Sequence, residues 1–377
     1  MPYDRAMSTL TTSAGTRPVS PANRFGLDYR AEAARLGPPV VPIIDAHAHI
    51  NGAEASRLYR EVCDLFGVSL TFTQTRLCQA EAVQRVMGDR VRFVAVPDFA
   101  GDDPGHAHTR GYIDDITTWH GLGARMLKFW CGPRGRDYMK AHDLDPMLMT
   151  LDHPWRRKQM DHAASLDMAF MVHIADPDTW FEAKYTDPSW YGTKAQQYDT
   201  LERLGDEYPR LWLIAHMGGW PEDLAFLTGF MERHPNFVID TSATKWMVRE
   251  LSKHPTDELL AFLRRFEGRV LYGSDIVTMD EHLTDEPGPR DMGKGASSED
   301  EAFDLYASRY YAYRRMLETD ETGESPIADP DLAMIDPERY DAMSAPTLTG
   351  HALPKDVLEV LYRGACESSL VKWYDEH

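Results

Sequence analysis

The stretch IIDAHAHI, residues 43–50, reads as a buried β-strand that carries two histidines, His47 and His49. Side chains alternate between the two faces of a strand, so these two imidazoles point the same way. An imidazole without a partner in an apolar core costs roughly several kcal/mol, unless it binds a metal or forms a hydrogen bond. The stretch therefore predicts a core strand that ends in a polar site.

Seven further β-rich runs follow this strand, and amphipathic helical patterns separate them. The runs are VSLTFTQT (68–75), VRFVAVPDF (91–99), ARMLKFW (124–130), MAFMVHIAD (168–176), LWLIAHMGG (211–219), FVIDTSAT (237–244) and RVLYGSDIV (269–277). Nearly continuous apolar strands that alternate with helices indicate a parallel sheet covered by helices. Eight such units in 377 residues favour a closed α/β barrel, the (β/α)8 TIM barrel, over an open doubly wound sheet. No glycine-rich phosphate loop follows any of these strands, which also disfavours a nucleotide-binding open sheet.

Two segments lie outside this repeating pattern. Residues 1–41 are polar and interrupted by prolines, and we interpret them as an extension that packs on the barrel domain (42–377) or trails from it. Residues 277–349 form a long insertion after the eighth strand, around the tyrosine-rich helical pattern EDEAFDLYASRYYAYRRMLE. Between Met279 and Asp341 there are eighteen Asp and Glu against six Lys and Arg. This insertion leaves the carboxyl end of a strand, so we expect it over the barrel mouth, as an acidic surface, an oligomer contact or a lid.

The composition limits the kinds of partner. A formal net charge of −20 argues against binding nucleic acid or an anionic membrane surface, although a local pocket can still be positive and take an anionic small molecule. The four cysteines form no CxxC pair, which argues against a cysteine zinc site and favours a reducing cytoplasm. We find neither an export signal nor an apolar run long enough to span a membrane. We therefore expect a cytoplasmic protein that acts on a small molecule and forms a homo-oligomer, a dimer.

Ligand-type residues stand at the ends of four predicted strands. His47 and His49 end the first, His173 the fifth, His216 the sixth and Asp275 the eighth. The carboxyl ends of barrel strands meet at one mouth, so residues far apart in sequence become neighbours there. A lone strand histidine is usually a core or surface residue, but five such residues together indicate a divalent metal. Imidazoles with one carboxylate suit Zn²⁺, with Mn²⁺, Fe²⁺ or Co²⁺ as alternatives.

The HxH strand, the single histidines on strands five and six and the GSD that ends strand eight resemble the amidohydrolase superfamily. More narrowly, AHMGGWPEDLAFLTGFMERHPNFVIDTSAT and LYGSD resemble the amidohydrolase-related group that includes aminocarboxymuconate semialdehyde decarboxylase. LPKDVLEVLYRGA is similar to the closing helix of that group, and the resemblance covers residues 42–276 and 350–370. A second HAH, at His106 and His108, lies in a loop rich in Gly, Asp and Pro, where we expect solvent-exposed surface.

The resemblance implies that His47, His49, His173 and Asp275 hold one metal, or that Asp275 also takes a proton from metal-bound water. His216 would then bind that water or the substrate and act as an acid or base. The implied chemistry is consistent with general principles, because a metal lowers the pKa of bound water to about 7. A nearby carboxylate or imidazole can then move the proton.

Four further residues are candidates for substrate contact. In binuclear members of the superfamily a lysine on strand four is carboxylated and bridges two metals. Lys128 ends strand four and has three alternatives. It could be such a bridge, it could remain unmodified and bind substrate or a carboxylate, or it could form a structural ion pair. Arg134 and Arg136 follow strand four and could bind a substrate carboxylate, or they are surface arginines. Trp180 belongs to an aromatic loop after strand five that could line an apolar pocket or make a subunit contact.

Three functions remain open at this point. The leading interpretation is a metal-dependent hydrolase, in which water attacks a C–N or C–O bond of a small, cyclic or carboxylated molecule. The alternative is a metal-dependent, non-oxidative decarboxylase of an aromatic or unsaturated carboxylic acid. Decarboxylases of aromatic acids often carry Glu-x-His where this chain has HxH, which favours hydrolysis. The third interpretation, a barrel that binds metal or ligand without turnover, is disfavoured by the complete set of five residues.

Overall fold

The computed structural model describes residues 17–286 and 294–377, so residues 1–16 of the predicted extension and 287–293 of the predicted insertion lie outside the described residues. All eight predicted strands are present. They are β1 (Ile43–His49), β2 (Val68–Thr73), β3 (Val91–Phe93), β4 (Met126–Trp130), β5 (Ala169–His173), β6 (Trp212–Ile214), β7 (Phe237–Asp240) and β8 (Val270–Leu271). After a short break the eighth strand continues as β9 (Ile276–Val277), which pairs in parallel with the end of β1.

Backbone hydrogen bonds run around the whole ring of strands. One parallel sheet has the order β3-β2-β1-β9 and the other β4-β5-β6-β7-β8. Ala95, just after β3, joins the two sheets. Its N donates to the Met126 carbonyl of β4 and its carbonyl accepts from Lys128 N, both at 2.8 Å. On the opposite side Tyr272 and Asp275, between β8 and β9, form 2.8 Å backbone bonds to Ala46 and His47 of β1. These isolated bonds link the two sheets at both edges, and the predicted (β/α)8 barrel is confirmed as the α/β architecture.

Helices alternate with the strands and cover the ring. In chain order they are α1 (Tyr29–Leu36), α2 (Ala53–Phe66), α3 (Ala80–Met87), α4 (Pro104–Ala107), α5 (Arg110–Gly121), α6 (Gly135–Ala141), α7 (Pro154–Ser165), α8 (Asp178–Ala183), α9 (Pro188–Tyr191), α10 (Lys194–Glu207), α11 (Leu224–Arg233), α12 (Thr244–Leu251), α13 (Thr256–Arg265), α14 (Glu299–Glu318), α15 (Pro330–Ile335), α16 (Lys355–Glu359) and α17 (Lys372–Glu376). π-Helical turns connect α16 to α17 in one closing helical stretch. No helix within the described ranges is both long and apolar enough to cross a membrane.

Local sequence explains where these helices begin. The Asp223 side chain accepts a hydrogen bond from Phe226 N (2.8 Å) and caps α11, since an aspartate at this position satisfies an amide that lacks a helical partner. Thr193 and Gln196 cap α10 reciprocally. These caps start the helices in the connections between strands. The helices then run back along the outside of the ring, which leaves the carboxyl ends of the strands at one mouth.

The insertion packs on the barrel of its own chain. Fourteen of the twenty residues of α14 are buried, and the helix contacts α1, α2 and α12. Tyr310 Oη donates to Asp45 Oδ2 (2.8 Å), inside β1, and Tyr313 Oη donates to the carbonyl of Thr241, just after β7. The rest of the insertion includes the antiparallel pair β10 (Thr322–Glu324) and β11 (Thr347–Thr349). The tyrosines of α14 therefore reach the strands that carry the predicted site.

The described part of the N-terminal extension lies against α14. Arg17 pairs with Asp300 (2.8 Å), and Asn23 donates to Asp304 (2.9 Å). Tyr29, at the start of α1, is fully buried and its ring lies 5.4 Å from that of Tyr311. The described extension thus packs against the insertion helix at these positions.

Candidate metal centre

Three candidate ligand atoms meet between β1 and the eighth strand. His49 Nε2 lies 3.2 Å from Asp275 Oδ1, and His47 Nε2 lies 3.5 Å from the same oxygen. All three ligand atoms lie within 4.8 Å of one another. Ligands held at about 2.0–2.1 Å around a tetrahedral ion are about 3.3 Å apart. The observed separations therefore fit one divalent metal.

Asp240, the last residue of β7, orients the ring of His47. Its Oδ2 lies 2.9 Å from His47 Nδ1, and both side chains are fully buried. This hydrogen bond places a proton on Nδ1 and leaves the Nε2 lone pair free for a metal, as carboxylate partners of metal-binding histidines do. Burial, together with the charge of Lys128, lowers the pKa of His47 to about 4. The imidazole is therefore neutral at pH 7, the form that binds metal.

The same carboxylate also holds His216. The His216 backbone N donates to Asp240 Oδ1 (2.9 Å), and His216 Nδ1 lies 2.7 Å from Ser242 Oγ, which itself donates to Asp240 Oδ1. The rings of His216 and His47 are 4.9 Å apart. Burial, followed by the charge of His173, lowers the pKa of His216 well below its ordinary value. Because Nδ1 is engaged by Ser242, Nε2 is the ring nitrogen of His216 that can meet a ligand.

His173 stands slightly apart from these residues. It belongs to neither group of candidate metal ligands found among the described residues, His47–His49–Asp275 and His47–His216–Asp240. Its Nε2 lies 2.7 Å from Asp176 Oδ1, and Asp176 Oδ2 accepts a 2.5 Å hydrogen bond from Tyr185 Oη. Nδ1 is then the nitrogen left for a metal. The ring of His173 lies 4.6 Å from that of His216, so the predicted ligand is at the mouth, and its role stays a prediction.

Lys128 extends into the centre from β4. Its Nζ lies 3.5 Å from His47 Nε2, and within the described ranges no carboxylate lies within 4.0 Å of it. Burial lowers the pKa of Lys128 to about 8, although Asp240 and Asp275 act in the opposite direction. The structural ion pair, one of the three alternatives for this lysine, is thus not formed with any described carboxylate.

Strained backbone marks the same strand ends. Asp275 (φ 60°), His216 (φ 58°), Met217 (φ 48°) and Ala243 (φ 64°) all have left-handed backbone conformations. A residue other than glycine in this region costs on the order of 1–3 kcal/mol, and such residues persist where the surrounding structure holds them. Four of them at the ends of β6, β7 and β8 indicate that side-chain placement at this mouth outweighs local backbone preference.

Two of the predicted substrate residues outside the strands, Arg134 and Trp180, have different surroundings. Arg134 is exposed, at the start of α6. Trp180 is partly buried; its Nε1 donates to Asp331 of the insertion (2.8 Å), and its ring lies 6.0 Å from that of Trp246. Trp246 in turn lies 5.6 Å from the His216 ring. Trp180 therefore belongs to an aromatic wall that leads to the centre, whereas Arg134 lies at the surface.

Sequence reasoning missed Asp240, Ser242 and Trp246. Asp240 ends β7, Ser242 follows it, and Trp246 lies in α12, the next helix. β7 is the strand of the second sheet for which the sequence predicted no site residue. An aspartate that ends an apolar strand, in FVID, is a signal of the same kind as the histidine that ends FMVH. That signal was present in the sequence, because burying an unpaired carboxylate is costly.

The second HAH gives one correction. His106 is exposed, as predicted, but the prediction is wrong for His108, which is only 2% exposed. Arg156 of α7 covers it, with Nη2 3.5 Å from His108 Nδ1, and Gln159 donates to its backbone carbonyl (3.0 Å). The helix that follows strand four thus buries part of a loop whose composition is typical of surface.

The sequence matches no family model and no curated protein. Solved structures do match. One is a 5-carboxyvanillate decarboxylase from Novosphingobium aromaticivorans with manganese and 4-hydroxy-3-methoxy-5-nitrobenzoic acid (12% identity, 89% of this chain and 96% of that chain, TM-score 0.42). Another is a 2,6-dihydroxybenzoate decarboxylase from Rhizobium (15% identity, 78% and 96%, TM-score 0.36). A third is a candidate amidohydrolase from Staphylococcus aureus (13% identity, 62% and 87%, TM-score 0.37).

Proposed function

We propose that this chain is a metal-dependent hydrolase of the amidohydrolase type, which uses activated water to cleave a C–N or C–O bond of a small, cyclic or carboxylated molecule. The observation that carries the proposal is the convergence of His47, His49 and Asp275 at separations of 3.2 and 3.5 Å. The ordered set of strand-end residues and its resemblance to the amidohydrolase superfamily support the same conclusion.

The proposed ligands are His47, His49, Asp275 and His173. Bound there, a divalent ion would supply Lewis acidity and make hydroxide available at neutral pH. Imidazole-rich sites with one carboxylate suit Zn²⁺ best, and Mn²⁺, Fe²⁺ and Co²⁺ accept the same ligands. Asp240 and Asp176 would hold two of the imidazoles in the orientation and tautomer that binding requires.

His216 and Asp275 are the proposed proton-transfer residues. Ser242 occupies Nδ1 of His216, so the neutral ring can accept or return a proton only through Nε2. Burial acts to raise the pKa of Asp275, but its hydrogen bond with His49 and the charge of His47 hold that pKa well below its ordinary value. Asp275 is therefore ionised at pH 7, the form required both to bind the ion and to take the second proposed role of accepting a proton from water.

Substrate contacts are assigned to Lys128, Trp180 and Arg134. An unmodified Lys128 ammonium would polarise or hold an oxygen of the substrate next to His47, since it lies in the centre without a carboxylate partner among the described residues. Trp180 and Trp246 would bound the apolar side of the substrate. Arg134, being exposed, would act at the entrance by attracting an anionic molecule.

Decarboxylation of an aromatic or unsaturated acid is the second candidate. The observation that favours it is again Lys128, because a buried ammonium beside the candidate ligands could bind the carboxylate that leaves as CO₂. In that reaction His216 or Asp275 would first take a proton from water and then deliver it to the carbon that loses CO₂.

Metal analysis combined with a substrate panel tests both candidates. The protein would be purified, stripped with a chelator, reloaded with Zn²⁺ or Mn²⁺, and offered lactones, cyclic amides and aromatic carboxylic acids. Acid release without CO₂ supports hydrolysis, and CO₂ release supports decarboxylation. The variant His49→Ala should be inactive in either case, whereas His106→Ala, in the other HAH, should retain wild-type turnover. Turnover by the stripped protein would contradict both candidates.

A further inference from the structure

A cavity of about 300 Å³ lies beside Asp275, on the side of the centre that faces the insertion. Its polar lining comes from Asp275 itself, from Lys245 of α12, from His282 and from Arg309 of α14, and Leu305 contributes apolar surface. This volume is at the lower end of the range for pockets that bind small molecules. The insertion therefore helps to form a pocket that is continuous with a proposed metal ligand.

The two cations of this cavity have no ion-pair partner among the described residues. No carboxylate there lies within 4.0 Å of Lys245 or of Arg309. The Nη1 of Arg309 is buried and makes no hydrogen bond. Burial, followed by the charge of Arg309, lowers the pKa of Lys245 to about 8, and burial lowers the pKa of Arg309 to about 10. Each cation is thus less stable than in water, and a bound anion would relieve that penalty.

The nearby carboxylates are engaged elsewhere. Asp329 and Asp331 both pair with Arg249, and Asp331 also accepts hydrogen bonds from the indoles of Trp180 and Trp246. Asp275 faces the histidines of β1. Asp329 and Asp331 still act to raise the pKa of Lys245, and Asp275 and Asp329 that of Arg309, but none of them lies within ion-pair distance of either cation. The direct hydrogen-bonding positions of both cations are therefore open to a ligand.

We propose that Lys245 and Arg309 form an anion-binding subsite that holds a carboxylate of the substrate while its reacting group lies at Asp275. The inference rests on the proposed function and deepens it, because it assigns the substrate to small organic carboxylates. A guanidinium can bind a carboxylate with two parallel hydrogen bonds, and an ammonium adds a point charge. Since Arg309 belongs to α14, the insertion supplies a substrate-binding side chain.

Benzoate binding to the full-length, metal-free protein tests the subsite apart from the metal. Isothermal titration calorimetry would compare benzoate with neutral benzamide, and we expect binding of benzoate only. Lys245→Met and Arg309→Met should each weaken benzoate binding about tenfold or more, because each removes a charge-assisted hydrogen bond. Lys245→Arg and Arg309→Lys should retain much of it. Arg264→Met removes an exposed cation that pairs with Asp356 and should leave binding unchanged.

The outcomes separate this inference from the proposed function. Benzoate binding that depends on both cations supports the subsite even if the reloaded protein shows no hydrolysis or CO₂ release. Three outcomes would overturn the subsite and leave the metal proposal standing. They are equal binding of benzoate and benzamide, no binding of benzoate by the wild type, and unchanged binding in both methionine variants. If Arg309→Met does not fold, benzoate binding by Lys245→Met and by the two conservative variants still decides whether the subsite exists.

Discussion

The two halves of the candidate centre are built in different ways. In the half formed by β1 and the eighth strand, the ligand atoms of His47, His49 and Asp275 face one another directly. In the half formed by β5 and β6, one ring nitrogen of each histidine is held by a neighbouring side chain, His173 by Asp176 and His216 by Ser242. The first half therefore brings three ligand atoms together directly, whereas in the second half each histidine comes from its own strand and is oriented by one neighbouring side chain.

This difference has a simple geometric origin. Two histidines on one strand at positions i and i+2 point the same way whatever the rest of the fold does. Single histidines on separate strands have free ring rotations, so each needs a partner that fixes its orientation and tautomer. Asp240 connects the two halves, because one of its oxygens holds His47 and the other holds the backbone of His216.

The largest expected effect comes from breaking the first half. Wild-type protein should contain close to one equivalent of divalent metal per chain, and His47→Ala or His49→Ala should lose most of it, because each removes a ligand. Elemental analysis measures this, with His106→Ala as the control. Two equivalents of metal together with a carboxylated Lys128 would contradict a single-metal centre.

Substitution of His216, in the second half, should affect turnover and spare the metal. His216→Asn should lower kcat on the order of 10²–10⁴-fold, since it removes a proton-transfer group. Metal content should stay within error of the wild type. A variant that loses its metal would instead make His216 a ligand and remove the distinction between the halves.

The orienting carboxylates should have an intermediate effect. Asp240→Asn and Asp176→Asn should each weaken metal affinity about 10–100-fold, the usual effect of losing the partner of a ligating histidine. Competition with a chelator measures both. An effect at Asp240 without one at Asp176 would show that His173 is not a ligand and that the metal is held by the first half alone.

The smallest expected effect is on substrate affinity. Trp180→Phe should raise KM about tenfold or less, because it removes part of one apolar contact and the hydrogen bond to Asp331. Trp190→Phe, in the same loop but bonded to Asp137 of α6, is the matched control. Equal changes in the two variants would mean that the aromatic loop acts as a structural unit and not as a pocket wall.

The buried insertion shows a limit of reasoning from composition. Eighteen acidic residues between Met279 and Asp341 suggested a solvated excursion as one alternative, yet most of α14 is buried. The acidic residues of its first turn precede a helix whose tyrosines reach Asp45 and Thr241. Composition averages over the faces of a helix, whereas burial is decided face by face.

Local sequence alone determined the eight strands and their order along the chain, because both depend on the hydrophobic period. It also determined which ligand-type residues stand at strand ends, and the parallel sense of the sheet brings those ends to one mouth. These residues are His47, His49, His173, His216 and Asp275. Tertiary structure alone decided which nitrogen of each histidine is free, that Asp240 serves two of them, and that Lys245 and Arg309 share a cavity. Those features depend on side chains from elements far apart in the chain, whose distances no local pattern encodes.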